Sequence, residues 1–461
     1  MRSLTRFSLV ALVAVLLAFG LEARLPAQLP PAPRVVRLTP PEAQRPGEVS
    51  VAINPTNPEH VIAVLLQGGA VGGPRITNYA YTSQDGGLTW TGVPSGNPDG
   101  RVQGDDAVAF GPDGTAYHTY ISFDGIRVAR PLKAASGIFV QASRDGLTWA
   151  APVPVVDHVN SVIPFEDKPW PGVDRVATSP HRGNVYVAWT RFDVYGSDSP
   201  DDRSHIMVSR SRDGGRTFEP PIEISDATGD AKDSDGTLEG VVPAVGPDGA
   251  LYIAWAGPQG ILVDKSTDGG YSFGTDVKVA DQPEGWDLPV EGLERHNGMP
   301  VTGVDTSNGP HRGSVYVNWI DARNGDPDVF VAASGDGGQT WSAPVRVNDD
   351  PKGATQLFTW MAVDPADGSL NVVFHDRRGG SGTKTGVTVA RSVDGGKTFV
   401  NYPLPMQAFD CCGDGFFGDY NGIDANGGRV VAAFPVLTAD GTQIVQAAVL
   451  RFERGTTRLL P

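Results

Sequence analysis

Short apolar runs recur along the chain in pairs, separated by turn residues. The first run of each pair is small and apolar, and the second is richer in aromatic residues. They read Val49–Asn54 with His60–Leu66, Ala107–Phe110 with Ala116–Ile121, and Trp170–Val173 with Asn184–Trp189. Val241–Val245 pairs with Leu251–Trp255, Pro300–Val304 with Ser314–Trp319, Trp360–Val363 with Leu370–Phe374, and Tyr420–Asp424 with Arg429–Phe434. Runs this short, bounded by Gly, Pro, Asn and Asp, predict strands. Pro112-Asp-Gly114, Pro247-Asp-Gly249 and Asp367-Gly368 fall between the runs of a pair, where a tight hairpin turn belongs.

A second pattern follows the paired runs. Six segments share one plan: Ser83-Gln-Asp-Gly-Gly-Leu-Thr-Trp90, Ser143-Arg-Asp-Gly-Leu-Thr-Trp149, Ser211-Arg-Asp-Gly-Gly-Arg-Thr-Phe218, Ser266-Thr-Asp-Gly-Gly-Tyr-Ser-Phe273, Ser334-Gly-Asp-Gly-Gly-Gln-Thr-Trp341 and Ser392-Val-Asp-Gly-Gly-Lys-Thr-Phe399. Asp-Gly favours a turn with positive φ, and the Asp carboxylate can accept backbone N–H bonds just ahead of it. These aspartates therefore read as turn-holders rather than catalysts. Self-similarity at about 60 residues means stacked copies of one supersecondary unit.

The six segments resemble the Asp-box, or BNR repeat, of the sialidase superfamily, in an exported, bacterial-type protein. That resemblance implies an all-β chain folded as a β-propeller of four-stranded blades, with the Asp-box between strands three and four. The paired runs give seven blades against six Asp-boxes, with a six-bladed sialidase-type ring as the alternative. The seventh unit continues through Ile444–Phe452 and then runs out of chain, so the N-terminal Arg34–Thr39 is expected to supply its fourth strand. Pairing the two ends would remove exposed strand edges.

Residues 1–27 read as a secretory signal: Arg2 and Arg6 precede an apolar run from Ser8 to Gly20, with small residues near Ala23 and Ala27. An uncleaved N-terminal anchor is the alternative. Residues 28–33 form a Pro-rich linker, and 34–461 a single propeller domain. No later segment is long and apolar enough to span a bilayer. The expected location is secreted or periplasmic, and the expected state a monomer. A net charge of −16 disfavours nucleic acid as a partner, because phosphate binding needs a basic surface.

Candidate chemistry lies where each inner strand begins, near the axis. Reading round the ring gives Glu48, Asp105 and Asp106, Glu166 with Asp167 and Lys168, Glu239, Arg295 with His296, Gln356, and Asp419 with Tyr420. Titratable groups converging on one concave face are the default site hypothesis. Arg191, Arg323 and Arg378 hold similar positions after the second strands of three blades. They could clamp a substrate carboxylate, or pair with the acids beside them. Sialidases use a Tyr nucleophile activated by a carboxylate. The resemblance thus points to Tyr420, with Glu239 as its partner and Asp419 beside it, and to Arg295, His296, Arg191, Arg323, Arg378, Asp106 and Asp167 as substrate-binding residues. The Arg-Ile-Pro signature of sialidases is missing from blade one, where Val49-Ser-Val-Ala52 stands instead. Two functions stay open: a sialidase-type exo-glycosidase acting on extracellular glycans, and a non-catalytic propeller binding glycan or protein on its axial face.

The two cysteines, Cys411 and Cys412, are adjacent. They are too few for a zinc site; a vicinal disulfide and a reduced pair are the alternatives. No cofactor is expected. The acidic stretch Asp226–Glu239 leaves calcium open, though its spacing does not match a calcium loop.

Overall fold

The computed structural model describes residues 32–68, 75–126, 131–379, 382–411 and 416–461. The expected signal segment and most of the linker, residues 28–31, lie outside the described residues, as does Cys412 and with it the Cys411–Cys412 pairing.

Seven antiparallel sheets make up the fold, with seven blades rather than six. The inner strands, blade one to blade seven, are Gly47–Ile53, Val102–Phe110, Phe165–Val173, Glu239–Val245, Val301–Val304, Gln356–Val363 and Gly422–Asn426. Each inner strand contacts the next, and the seventh contacts the first, so the strands ring an axis. Blades one to six run outward in chain order. In blade seven the outermost strand is Arg34–Arg37, antiparallel to Gln443–Arg451, with Arg34 opposite Val449 and Arg37 opposite Gln446.

The alternating small and aromatic strands become the packing between blades. Trp189, Trp255 and Trp319, all on second strands, are fully buried. The Ser-x-Asp-Gly segments fill the space between neighbouring blades. Asp85 Oδ1 accepts the N–H groups of Leu88 (3.0 Å) and Thr89 (2.9 Å), and Oδ2 accepts the Thr89 hydroxyl at 2.7 Å. Ser83 Oγ donates to Asp85 and accepts the Gly87 N–H, while the Trp90 indole donates to the Gly87 carbonyl. Asp213, Asp268, Asp336 and Asp394 repeat the pattern. These bonds more than offset burial and hold the Asp85 and Asp213 carboxyls down at about 2.

The second glycine of the segment serves a neighbour. A Cβ on Gly270 would sit 3.0 Å from the Tyr186 ring of the preceding blade, and one on Gly215 would sit 3.1 Å from Tyr117. Both glycines have positive φ, 78° and 76°. Glycine is therefore needed twice over, for the turn and for the ring packed beneath it.

Candidate active site

The site begins as a backbone irregularity. Five inner strands break register with their second strands at the same place: between Gly47 and Ser50, Gly104 and Ala107, Asp167 and Trp170, Glu239 and Val242, and Leu357 and Trp360. One residue inside each break has positive φ: Glu48 (52°), Asp105 (50°), Lys168 (46°), Gly240 (77°) and Phe358 (49°). Left-handed backbone costs an L residue roughly 1–2 kcal/mol. Four non-glycine residues accept that cost at equivalent positions. A bulge re-aims side chains that strict alternation would send elsewhere. Ser83 pairs with Val61, which pairs with Ile53, so the Ser83–Trp90 turn lies at the far end of the inner strand from Glu48.

Charged side chains converge there. Lys168 Nζ lies 2.9 Å from Asp419 Oδ2 and 3.7 Å from Glu239 Oε1. Arg295 Nη2 approaches the same Asp419 oxygen at 2.8 Å, while Nη1 donates to Asp233 Oδ2 at 3.0 Å. Asp233 also accepts the Tyr195 hydroxyl at 2.5 Å. Asp105 Oδ2 accepts the Lys168 backbone N–H at 3.2 Å. Glu48, Asp106, Asp167 and Glu239 complete the buried set.

Seven acids face two cations, and like charges out of water do not all ionise. Burial, then Asp233, lifts Glu239 well above the ordinary carboxylate range. The 3.7 Å approach of Lys168 is too long for a hydrogen bond and does not reverse that shift. Burial, then Asp105, does the same to Asp167. Burial and Asp419 bring Glu48 to about 7, and burial brings Asp105 to about 6. Two carboxyls go the other way. Burial also opposes their charge, but Arg295 and Lys168 overcome it and hold Asp419 and Asp233 below the usual range. Asp419 and Asp233 are thus held toward the ionised form and Glu239 and Asp167 toward the protonated form, with Asp105 at about 6 between them.

Tyr420 donates its hydroxyl to the Asp106 backbone carbonyl at 3.1 Å. Burial, followed by the charges of Glu48, Asp105 and Asp106, lifts its pKa well above that of a free phenol. No hydrogen bond joins Tyr420 to Glu239 among the described residues. The Tyr420 ring packs against Trp170 (5.3 Å between centroids) and Trp360 (5.7 Å), which lie 4.3 Å from each other. Asp106 binds His118 Nε2 at 2.5 Å, and burial holds that imidazole down at about 3. Burial, with Arg377 beside it, likewise holds His296 at about 3, and its Nε2 accepts the Phe358 N–H at 3.4 Å.

The ring brings Tyr420, Glu239, Asp419, Arg295, His296, Asp106 and Asp167 together. The other three arginines are each paired with acids of their own or the preceding blade. Arg191 grips Glu166 through Nε and Nη2, at 3.0 and 2.7 Å to Oε1. Arg323 pairs with Asp321, and Arg378 with Asp376 and Asp349. Asp233 and Tyr195, which sequence reading did not single out, come from long loops. Asp233 had one advance signal, the acidic, glycine-bearing stretch Asp226–Glu239; Tyr195, outside that stretch, had none.

A cavity of about 30 Å³ sits in the cluster, bounded by Asp105, Lys168, Asn297, Thr359, Asp419 and Tyr420 among others. Among the described residues, no group of three or more His, Cys, Asp or Glu is arranged to hold a metal ion. No helix among them is long and apolar enough to cross a membrane.

These features define a seven-bladed β-propeller with an ionisable cluster at one end of its axis. No protein-family model and no curated protein matches the chain. Solved structures do match. The α-L-arabinofuranosidase of Fusarium graminearum, in complex with arabinobiose, superposes with a TM-score of 0.50 at 12% identity, covering 91% of this chain and 97% of that one. A Hadza microbial sialidase gives 0.45 at 16% identity over 82% and 73% of the two chains. The leech intramolecular trans-sialidase gives 0.47 at 9% over 90% and 93%. At 12% identity the likeness to the arabinofuranosidase is one of propeller fold alone.

Proposed function

We propose that this propeller is an exported glycoside hydrolase that cleaves extracellular glycans at the axial mouth, as an exo-glycosidase. The observation that carries the reading is the division of buried carboxyls into protonated and ionised members within one cluster. Glycoside hydrolysis needs both kinds. Glu239, whose pKa burial and Asp233 raise, is the acid that protonates the glycosidic oxygen. Asp105, near 6, is closer to a working base than Asp419. A water deprotonated by Asp105 attacks the anomeric carbon as the bond to the leaving oxygen breaks, so one water is consumed and one proton passes from Glu239 to the departing alcohol. Asp419, pinned by Lys168 and Arg295, is too weak a base and instead fixes both cations at the mouth. Tyr420, its hydroxyl given to a carbonyl, forms the floor of the site.

A sialoside, an aryl arabinofuranoside and a wider glycan panel test the reading. Turnover that falls at least a hundredfold in Glu239→Gln and in Asp105→Asn supports it. Turnover undiminished in both variants, or none on any substrate, removes it. A second reading, a propeller that binds glycan or protein without cleaving it, draws on the pairing of Arg323 and Arg378 with neighbouring aspartates. Binding on a glycan array without hydrolysis distinguishes that outcome.

A further inference from the structure

Asp105 has a buried partner that the hydrolytic scheme leaves unused. Asp105 and Asp167 stand on neighbouring inner strands, Val102–Phe110 and Phe165–Val173, and both are buried, 7% and 6% exposed. The bulges of the two strands bring them to one backbone group. The Lys168 N–H donates to Asp105 Oδ2 at 3.2 Å and to Asp167 Oδ1 at 3.2 Å. The two side chains also hydrogen-bond each other, Asp167 donating and Asp105 accepting. Asp105 borders the cavity of about 30 Å³, whereas Asp167 does not line that space. Glu48, Asp106, Lys168, Asp419 and Tyr420 also face Asp105. Asp233, Glu239 and Arg295 complete the charged groups around Asp167.

We infer that Asp167 is a positioning residue for Asp105: its carboxyl proton, donated as a hydrogen bond, holds the Asp105 carboxylate ionised and fixed at the edge of the cavity. The inference rests on the hydrolase reading for what Asp105 does, while the pairing itself stands on the shared Lys168 N–H. Two carboxyls this close in a buried site do not both ionise, so one of them keeps a proton. The one that keeps it is Asp167, the member away from the cavity. Burial, then Glu48 and Asp419, raise Asp105 to about 6, against the Lys168 charge and the Asp167 hydrogen bond. A hydrogen bond donated to a carboxylate favours its charged form. Asp167 thereby keeps Asp105 usable as a base near neutral pH, where burial among acids alone would protonate it.

Carboxyl carbon-13 NMR of the folded protein reads both midpoints without substrate, with the two resonances assigned by substitution. Asp167→Leu keeps the bulk and removes the donor. It should raise the Asp105 midpoint by about one pH unit or more, and the acid limb of kcat/KM on a hydrolysed glycoside should move up with it. Asp167→Asn, whose amide can donate in the same place, should leave the midpoint within about half a unit of the wild type. The inference is overturned if Asp167→Leu leaves the Asp105 midpoint in place. It is equally overturned if either variant lowers that midpoint by about a unit, which would mean that Asp167 carried a charge. Asp105→Asn gives the reciprocal reading should Asp167→Leu not fold: the Asp167 midpoint should fall by about one unit or more, and an unchanged one overturns the pairing. A wild type that turns over no glycoside removes the hydrolase reading alone, because the titrations need no turnover. Unmoved midpoints in an active enzyme remove only the role of Asp167.

Discussion

Asp419→Asn isolates the ion cluster from the rest of the ring. The substitution keeps the side chain's shape and removes one charge. In the wild type a single oxygen, Asp419 Oδ2, meets Lys168 at 2.9 Å and Arg295 at 2.8 Å. Both cations are largely buried, with 11% and 22% of their side chains exposed. Without the carboxylate, Lys168 keeps the 3.7 Å approach to Glu239, whose pKa is raised, and the two cations repel each other directly. Removing one partner of a buried ion pair costs ~3–5 kcal/mol. We expect that loss at neutral pH in urea unfolding followed by tryptophan fluorescence, for which Trp170 and Trp360 are adjacent reporters. The pH dependence follows from the sign of the shift. A carboxyl with a depressed folded-state pKa stabilises above its unfolded value, and that contribution is lost as the pH falls through the folded value. The deficit of Asp419→Asn should therefore narrow as the pH drops below the ordinary value of 3.8. Glu239→Gln should behave oppositely. Glu239 has a raised pKa, so it stabilises below 4.5 and loses that contribution as the pH rises. An amide resembles its protonated form and should be neutral or stabilising at neutral pH. A loss under 1 kcal/mol in Asp419→Asn, or equal losses in the two variants, would refute the assigned charge states.

Glu48 titrates near 7 from an ordinary value of 4.5, so its stabilising contribution is complete below 4.5 and fades as the pH rises through about 7. Glu48→Gln should flatten the stability profile across that window by about 3 kcal/mol, read from urea midpoints at a series of pH values. Gly270→Ala combines a φ of 78° with a Cβ 3.0 Å from the Tyr186 ring, whereas Gly441→Ala has a φ of 80° and nothing within 4 Å. Both should lose the roughly 1–2 kcal/mol of left-handed strain; only Gly270→Ala should lose more, and equal losses would mean that the tyrosine yields. Thr217→Val removes the 2.6 Å hydroxyl bond to Asp213 and should cost about 1 kcal/mol, with the Asp213 pKa rising from about 2 on carboxyl titration.

The fold was legible because its signals are local. Asp-Gly-Gly dictates a turn within four residues, and the paired apolar runs mark inner and second strands wherever they occur. The site was legible only in outline. That Glu48, Asp105, Glu239 and Asp419 stand at inner-strand entries follows from counting blades. That Glu48, Asp105 and Lys168 take positive φ does not, because nothing about those residue types favours it. The ring imposes it, and the packing around each bulge holds it. Arg323 and Asp321, two residues apart, were a visible ion pair, but Arg191 binds Glu166, 25 residues away, rather than nearby Asp193. Such choices depend on which strands lie side by side, which no local pattern records.

One architectural consequence links the strain to the charge. A bulge displaces an inner strand where it occurs, and a lone bulge in a closed ring would leave that blade out of step with its neighbours. Repeating it in five blades shares the displacement among them, so the axial end can crowd seven carboxyls while the Ser-x-Asp-Gly end keeps regular, apolar strands. The ends then bear unequal burdens. Strain and buried charge, each worth kilocalories per residue, gather at the end proposed for chemistry, where residues in sparsely populated φ/ψ regions tend to cluster. The hydrogen-bonded Ser-x-Asp-Gly turns and the tyrosine–glycine contacts at the other end are the compensating interactions. Weakening them, as in Gly270→Ala, should lower the stability of the whole ring without altering the charge states of Glu239 or Asp419. A Gly270→Ala variant whose Glu48 titration moved with its stability would show instead that the two ends are coupled.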